Sequence, residues 1–308
     1  MKTYSVPHSD LTMSSIVLGM MRISKMTDAD IQSLFHGAME SGVTVFDHAD
    51  IYGGDHLCET RFGEAMKLSV EDRARIMIQS KVGIRRGWFD FSEEHILRAV
   101  DESLAALRTD YLDVLLLHRP DTLVEPEEVA SAFDKLHAAG KVRHFGVSNH
   151  TPGQIELLKS AVNQKLLFNQ MRLSLAHANL VAQGIAANMA RLDQSISRDN
   201  GLLDYSRLNG MMLQAWSPFQ NKTFNGSFVG DRENYADLNN LLDELAAAYG
   251  VTPTAMAVAW ITRHPANIQV VLGTTSPARI AEAATGSSVP LSREHWYRLF
   301  TAAGYTVP

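Results

Sequence analysis

The sequence predicts an α/β fold, a (β/α)8 TIM barrel forming a single domain over residues 1–308, and three observations carry that prediction. Eight short apolar runs alternate with stretches of helical periodicity. Three successive runs, 43–46, 76–81 and 114–117, end in or directly before Asp47, Lys81 and His118, and a parallel barrel gathers its chemistry at the C-terminal ends of its strands. The chain also lacks a Gly-x-Gly-x-x-Gly after a strand and a Walker-type loop, which removes support for a doubly wound nucleotide-binding sheet, the alternative for such alternation.

The elements follow in order. Residues 1–15 read as polar and irregular, and 16–18 before Gly19 as the first strand. Thr27 is a good helix N-cap with Asp30 three residues on, and Ile31, Leu34, Phe35, Ala38 and Met39 recur at helical spacing until Gly42. Val43, Val45 and Phe46 make the second strand, which Asp47 ends before Tyr52 and a Gly53-Gly54 turn. Residues 58–68 are helical through Phe62, Ala65 and Met66, and 76–81 is the third strand. The loop 82–91 concentrates Arg85, Arg86, Trp88 and Phe89; loops at this face shape pockets, so Trp88 and Phe89 are candidate substrate-pocket residues.

Ser92 caps the next helix, with Glu93 and Glu94 complementing its dipole and Ile96, Val100, Leu104 and Leu107 forming its stripe. After strand 114–117, Pro126 and Gly140 bracket a helix that turns Val129, Phe133 and Leu136 inward. Strand 144–147 runs into Ser148 and Asn149, Thr151-Pro152 starts a helix, and 166–168 is the sixth strand, ending at Asn169 and Gln170. Residues 176–200 break the rhythm and read as an inserted loop or short helix after that strand. Helix 201–208, strand 211–215 stopping at Trp216-Ser217-Pro218, a Gly/Asn-rich loop 219–234, helices 238–249 and 254–263, strand 268–272 and helix 277–284 complete the barrel. Residues 292–303 are an extra C-terminal helix.

With 308 residues and 45% hydrophobic content the chain buries a large core. Its net charge of -6 comes from 28 basic and 34 acidic residues that are interspersed, which points away from nucleic-acid or membrane partners and toward a small molecule. The single cysteine, Cys58, excludes an internal disulfide framework, the N-terminal segment lacks a signal-peptide core, and no apolar stretch reaches a membrane span; together these fit a cytoplasmic location. Nothing in the sequence sets an oligomeric state.

Asp47, Tyr52, Lys81 and His118 are candidates for one site. A phenol with a reference pKa of about 10 is a weak acid, and a nearby ammonium stabilises the phenolate it leaves. Asp47 would hold Lys81 charged, Tyr52 would donate a proton, and His118 would hydrogen-bond the same substrate oxygen. Such a site protonates a carbonyl oxygen and lacks only a source of electrons. The plainer alternative is a structural Asp47–Lys81 ion pair beside a pocket-wall phenol. A second alternative, a metal-dependent barrel hydrolase, is raised by His48, Asp50, His56 and Cys58. These four share one loop and leave the acid, phenol and ammonium unexplained, so no metal is expected.

Phe46-Asp47 with Ala49 and Tyr52, Glu59 with Gly63, and strand-terminal Lys81 and His118 together resemble the aldo-keto reductase superfamily. Gly146-Val147-Ser148-Asn149, Phe168-Asn169-Gln170, Ala215-Trp216-Ser217-Pro218 and the run from Gly273 to Ile280 extend the resemblance through most of the chain. The resemblance implies NADPH-dependent reduction of an aldehyde or ketone, NADH being possible, with Asp47, Tyr52, Lys81 and His118 as the catalytic tetrad. It further implies that Ser148, Asn149 and Gln170 bond the nicotinamide carboxamide, that Trp216 stacks on its ring, and that Ser217 approaches the pyrophosphate. Thr274, Ser276 and Arg279 match the stretch that holds the adenosine 2′-phosphate. Members of this superfamily that act as channel β-subunits imply a rival role, an NADPH-binding sensing or interaction subunit with little turnover. Three departures stand out: His48 replaces a small residue and Trp216 a frequent tyrosine, both expected to change the pocket more than the chemistry, and Gly273 replaces a frequent lysine, leaving Arg279 as the main expected phosphate contact.

Overall fold

The computed structural model describes residues 1–189 and 191–308. The chain opens with β1 (Thr3–Ser5) and β2 (Thr12–Ser14), an antiparallel pair, before the first barrel strand β3 (Ile16–Gly19). This corrects the irregular reading of residues 1–15. Tyr4, Val6 and Met13 of the hairpin are buried against the inward residues Val17, Val45, Val114, Leu116, Phe168, Met212 and Val271, so the hairpin closes the N-terminal end of the barrel.

The barrel continues through α1 (Asp28–Glu40), β4 (Val45–Asp47), α2 (Leu57–Met66), the short α3 (Val70–Ala74) and β5 (Met77–Val82). A small antiparallel hairpin, β6 (Ile84–Arg85) and β7 (Trp88–Phe89), lies within what the sequence suggests is plain loop. Then come α4 (Glu93–Leu107), β8 (Leu112–Leu117), α5 (Pro126–Ala138), β9 (Val142–Ser148), α6 (Pro152–Lys159) and β10 (Leu166–Arg172). The expected insertion after the sixth strand contains α7 (Asn179–Ile185) and a single 3-10 turn at Asp193–Ser195; residue 190 within it lies outside the described residues. The chain ends with α8 (Leu202–Leu208), β11 (Met212–Trp216), α9 (Ala236–Tyr249), α10 (Pro253–Thr262), β12 (Gln269–Leu272), α11 (Pro277–Gly286) and α12 (Arg293–Ala302).

Strands β3, β4, β5, β8, β9, β10, β11 and β12 pair in parallel and close, β12 against β3. Closure leaves no sheet edge among them and puts every strand's C-terminal end on one face. The caps behave as their residue types require: Thr27 and Asp30 form a capping box, Ser92 accepts from the His95 amide, and Pro126 opens α5. Helices dock closely where small residues permit. A Cβ on Gly63 of α2 would lie 2.2 Å from the Ala106 carbonyl of α4. Helix α10 is apolar on every side because it is buried throughout from Ala255 to Thr262. Among the described residues no single helix is long and apolar enough to cross a membrane.

Candidate active site

Parallel strands in register point paired residues to the same side, so the pairing of Asp47 with Gln79 places both on the inner face together with Lys81, two residues on. Lys81 Nζ, with no solvent exposure, donates to Asp47 Oδ2 at 2.6 Å, the His48 carbonyl at 2.9 Å and Tyr52 Oη at 3.0 Å. All three ammonium protons are thereby used. Burial opposes the charge, but Asp47 and then Tyr52 outweigh it and the Lys81 pKa is raised.

The loop carrying Tyr52 is strapped down at both ends. The Asp50 amide donates to the Lys81 carbonyl at 3.0 Å, and the Cys58 amide to the Tyr52 carbonyl at 3.0 Å. Gly53 takes a φ of +77°, and a Cβ there would meet Cys58 Sγ at 2.9 Å, which explains the glycine. Burial raises the Tyr52 pKa and outweighs the opposing pull of Lys81, so the phenol is protonated at neutral pH. Lys81 fills a lone pair of Oη, and no protein acceptor among the described residues takes the phenol's own proton. The His118 ring stands edge-on to Tyr52, with centroids 5.9 Å apart at 82°. Burial first, then Lys81 and Arg119, push the His118 pKa well below its ordinary value, and its Nδ1 is buried without a partner among the described residues. A neutral imidazole and a protonated phenol therefore stand side by side, with the buried ammonium bonded to the phenol.

The expected cofactor residues fall at the same barrel end in two groups. Ser148 Oγ bonds the Gln170 carbonyl at 2.8 Å and accepts from Asn149 Nδ2 at 2.9 Å, while Trp216 Nε1 donates to Asn149 Oδ1 at 3.1 Å. Asn149 and Ser217 take left-handed φ values of 63° and 54°, which re-aim their side chains at the strand ends. Gln170 turns inward, Nε2 donating to Asp47 Oδ1 at 3.0 Å and Gln214 Oε1 at 3.1 Å, which leaves its side-chain Oε1 as the group available to a carboxamide. One face of Trp216 stacks with Phe224 of the 219–234 loop, with centroids 6.2 Å apart.

The second group surrounds the start of α11. Ser276 is its N-cap residue and its amide donates to Thr274 Oγ1 at 3.2 Å. Arg279 is exposed on the first turn and enters no ion pair among the described residues. Sequence reasoning missed Arg22, whose guanidinium donates to the Gly273 carbonyl. A Cβ on Gly273 would come within 2.8 Å of Arg22 Nη1, so the glycine, where the resemblance implies a frequent lysine, makes room for a different cation. Only the fold brings together positions so far apart in the chain.

Trp88 and Phe89 sit on the β6–β7 hairpin that follows β5, 56% and 41% exposed, with the Arg85 guanidinium 5.9 Å from the Trp88 ring centre. His48, expected to alter the pocket, points away from it: the ring is fully buried edge-on to Phe62 at 4.8 Å, its pKa lowered to about 3 by burial and Lys81. Two other residues of the metal alternative, His56 and Cys58, have separate partners. His56 bonds Glu59 at 2.5 Å and Glu102 at 3.3 Å, and Cys58 Sγ bonds the Met21 carbonyl at 3.3 Å. Among the described residues no three His, Cys, Asp or Glu side chains converge on a metal position.

The model of the Aldo/keto reductase family matches residues 15–302. Oxidoreductase YdhF of Escherichia coli K12 is 36% identical over 96% of this chain and 95% of its own length. A 6-dehydroglucose reductase of Agrobacterium fabrum C58 is 35% identical over 95% of both. An aldo-keto reductase from Klebsiella pneumoniae, solved in complex with NADPH, superposes with a TM-score of 0.76 at 24% identity, covering 100% of this chain and 98% of that one; at that identity the likeness is one of fold.

Proposed function

The chain belongs to the aldo/keto reductase family, and from that premise we propose that it reduces an aldehyde or ketone to the alcohol with NADPH, Tyr52 protonating the carbonyl oxygen. The observation that carries this reading is the buried Lys81 ammonium bonded to both Asp47 and Tyr52, behind a phenol proton that no group among the described residues accepts. NADPH, when bound, would supply the hydride. The residues present fit that cofactor. The first turn of α11, flanked by Arg279 and Arg22, offers amide donors and two guanidiniums to phosphate. Asn149 Oδ1, Ser148 Oγ and Gln170 Oε1 offer acceptors to an amide, and the Trp216 face not covered by Phe224 offers a stacking surface.

Neutral His118 orients the substrate oxygen, and Tyr52 gives it a proton as the carbon gains hydride, so that the C=O π bond is replaced by one C–H and one O–H bond. The phenolate left behind is held by Lys81, which Asp47 anchors, until solvent returns the proton. Trp88 and Phe89, exposed on the hairpin after β5, would cover an apolar part of the substrate. Sugar-derived aldehydes belong in any substrate panel, since one relative is named for 6-dehydroglucose.

The test is NADPH oxidation with a panel of aldehydes and ketones by wild type and Tyr52→Phe. Multiple turnovers that the variant loses while still binding NADPH support the reading. Oxidation of a single equivalent in the wild type would favour the sensing-subunit role instead.

A further inference from the structure

Directly beneath the tetrad the barrel interior changes character. Most of its inward positions are apolar, among them Val17, Val45, Val114, Leu116, Met212 and Val271. Interrupting them is a layer of glutamines, Gln79, Gln170, Gln214 and Gln269, each no more than 3% exposed. Strand register explains the layer: Asp47 pairs with Gln79, Gln170 with Gln214 and Gln214 with Gln269, so each row of neighbours faces the axis. Burying amides stabilises a barrel no better than packing it with aliphatic side chains, so their placement calls for a reason.

The hydrogen bonds supply one. Gln79 Nε2 donates to Asp47 Oδ1 at 2.5 Å and to Gln214 Oε1 at 3.0 Å. Gln170 Nε2 donates to the same two oxygens, at 3.0 and 3.1 Å, and this closes a ring. Gln214 returns Nε2 to Gln79 Oε1 at 3.1 Å, so the Gln79 amide is fixed from both ends. Asp47 is thereby gripped on Oδ1 by two amides and on Oδ2 by the Lys81 ammonium. Rotation of its carboxylate would carry Lys81 away from Tyr52.

We infer that Gln79, braced by Gln214, is a positioning residue for the reduction: through Asp47 it sets where the Lys81 ammonium lies against Tyr52. This rests on the reductase reading proposed above, with Tyr52 as its proton donor. Gln79 touches neither substrate nor cofactor, and its effect passes through one carboxylate oxygen.

The test uses two substitutions with different chemistry. Gln79→Met keeps the volume and removes both amide groups. Its kcat falls about tenfold to a hundredfold, as displacement of a catalytic group by a fraction of an ångström implies. KM for the carbonyl and the dissociation constant of NADPH stay within about twofold of wild type, because neither ligand contacts the amide. The alkaline limb of the kcat profile moves to higher pH, because a displaced ammonium lowers the phenol pKa less. Gln79→Glu keeps the shape and makes the donor pH-dependent. At low pH the introduced carboxyl is protonated, donates to Asp47 Oδ1 and retains kcat close to wild type. As pH rises it ionises against Asp47, and kcat falls across a range where wild type is flat. This second variant keeps the inference testable if Gln79→Met does not fold.

Wild type and Tyr52→Phe are assayed beside them. If wild type turns over and Tyr52→Phe does not, while both Gln79 variants match wild type in kcat and pH profile, the positioning role is overturned and the reductase reading stands. If wild type does not turn over with any carbonyl, both fall.

Discussion

Replacing Lys81 by Met removes a buried cation whose three partners are all known, so its consequences can be worked from the structure. The first is to chemistry. Across the 3.0 Å from Nζ to Tyr52 Oη, an ammonium stabilises a phenolate by about 5 kcal/mol at an effective dielectric near 20. That corresponds to about 4 pKa units, of which Asp47 cancels a part. With roughly half of such a change expressed in a proton-transfer transition state, kcat for carbonyl reduction falls about a hundredfold. The second consequence is to stability. Asp47, 1% exposed, loses its counter-ion, and a broken buried pair costs about 3–5 kcal/mol. At about 2 °C per kcal/mol for a chain of this size, Tm drops by about 6–10 °C. The sign with pH follows from the raised Lys81 pKa: the pair's contribution is complete below the unfolded lysine value of about 10.4 and is lost as pH rises through the folded value. The melting gap between wild type and variant therefore persists through neutral pH and narrows only in strong alkali. Steady-state kinetics, NADPH titration and thermal melts from about pH 6 to pH 11 measure all three. A kcat within about threefold of wild type would refute the reasoning, because the ammonium would then not be stabilising the phenolate.

Other consequences are as specific. Arg279→Ala weakens NADPH by about tenfold to a hundredfold and leaves NADH nearly unchanged, and Arg22→Ala does the same if its guanidinium also meets the 2′-phosphate; equal losses for both cofactors, read by titration, would remove these assignments. Asp50, mostly buried with Oδ1 unpartnered among the described residues, has its pKa raised to about 7, by burial first and then by Glu59. A carboxyl with a raised folded pKa gives stability that is complete below the unfolded value and is lost as pH rises to 7, so Asp50→Asn raises Tm at about pH 8 by several degrees and has little effect at about pH 4. A Tm gain independent of pH would contradict it. Gly63→Ala forces a methyl to within 2.2 Å of the Ala106 carbonyl and separates α2 from α4, at a cost of about 2–3 kcal/mol; an unchanged melting curve would show that the helices give way freely.

The barrel was legible because its strands are apolar runs bounded by turn residues and its helices carry full stripes and caps. What escaped the sequence was too short or too distant. β1 and β2 have three residues each, so Tyr4 and Met13 make no readable alternation, and their burial comes from the barrel end they plug. α3, with five residues, repeats no stripe. The acid, phenol, ammonium and imidazole were readable as strand-end residues, but the direction of the Tyr52 pKa was not, since it depends on burial winning over Lys81. Gln79 was within reach: it lies two residues before Lys81 and so must share its inward face. Arg22 was not, because its partner Gly273 is joined to it only by barrel closure. His48 misled because alternation sends it outward between Asp47 and Ala49, onto Phe62.

The most direct test of the central claim follows the atoms. Wild type is given NADPH carrying deuterium at nicotinamide C4, in each stereochemical form, with an aldehyde or ketone it consumes, and the product alcohol is examined by mass spectrometry and NMR. Deuterium from one form appearing on the carbinol carbon, with transfer lost or slowed at least a hundredfold in Tyr52→Phe, is the predicted result. Cofactor oxidation with no deuterium on the product carbon, or undiminished transfer in Tyr52→Phe, would contradict the account.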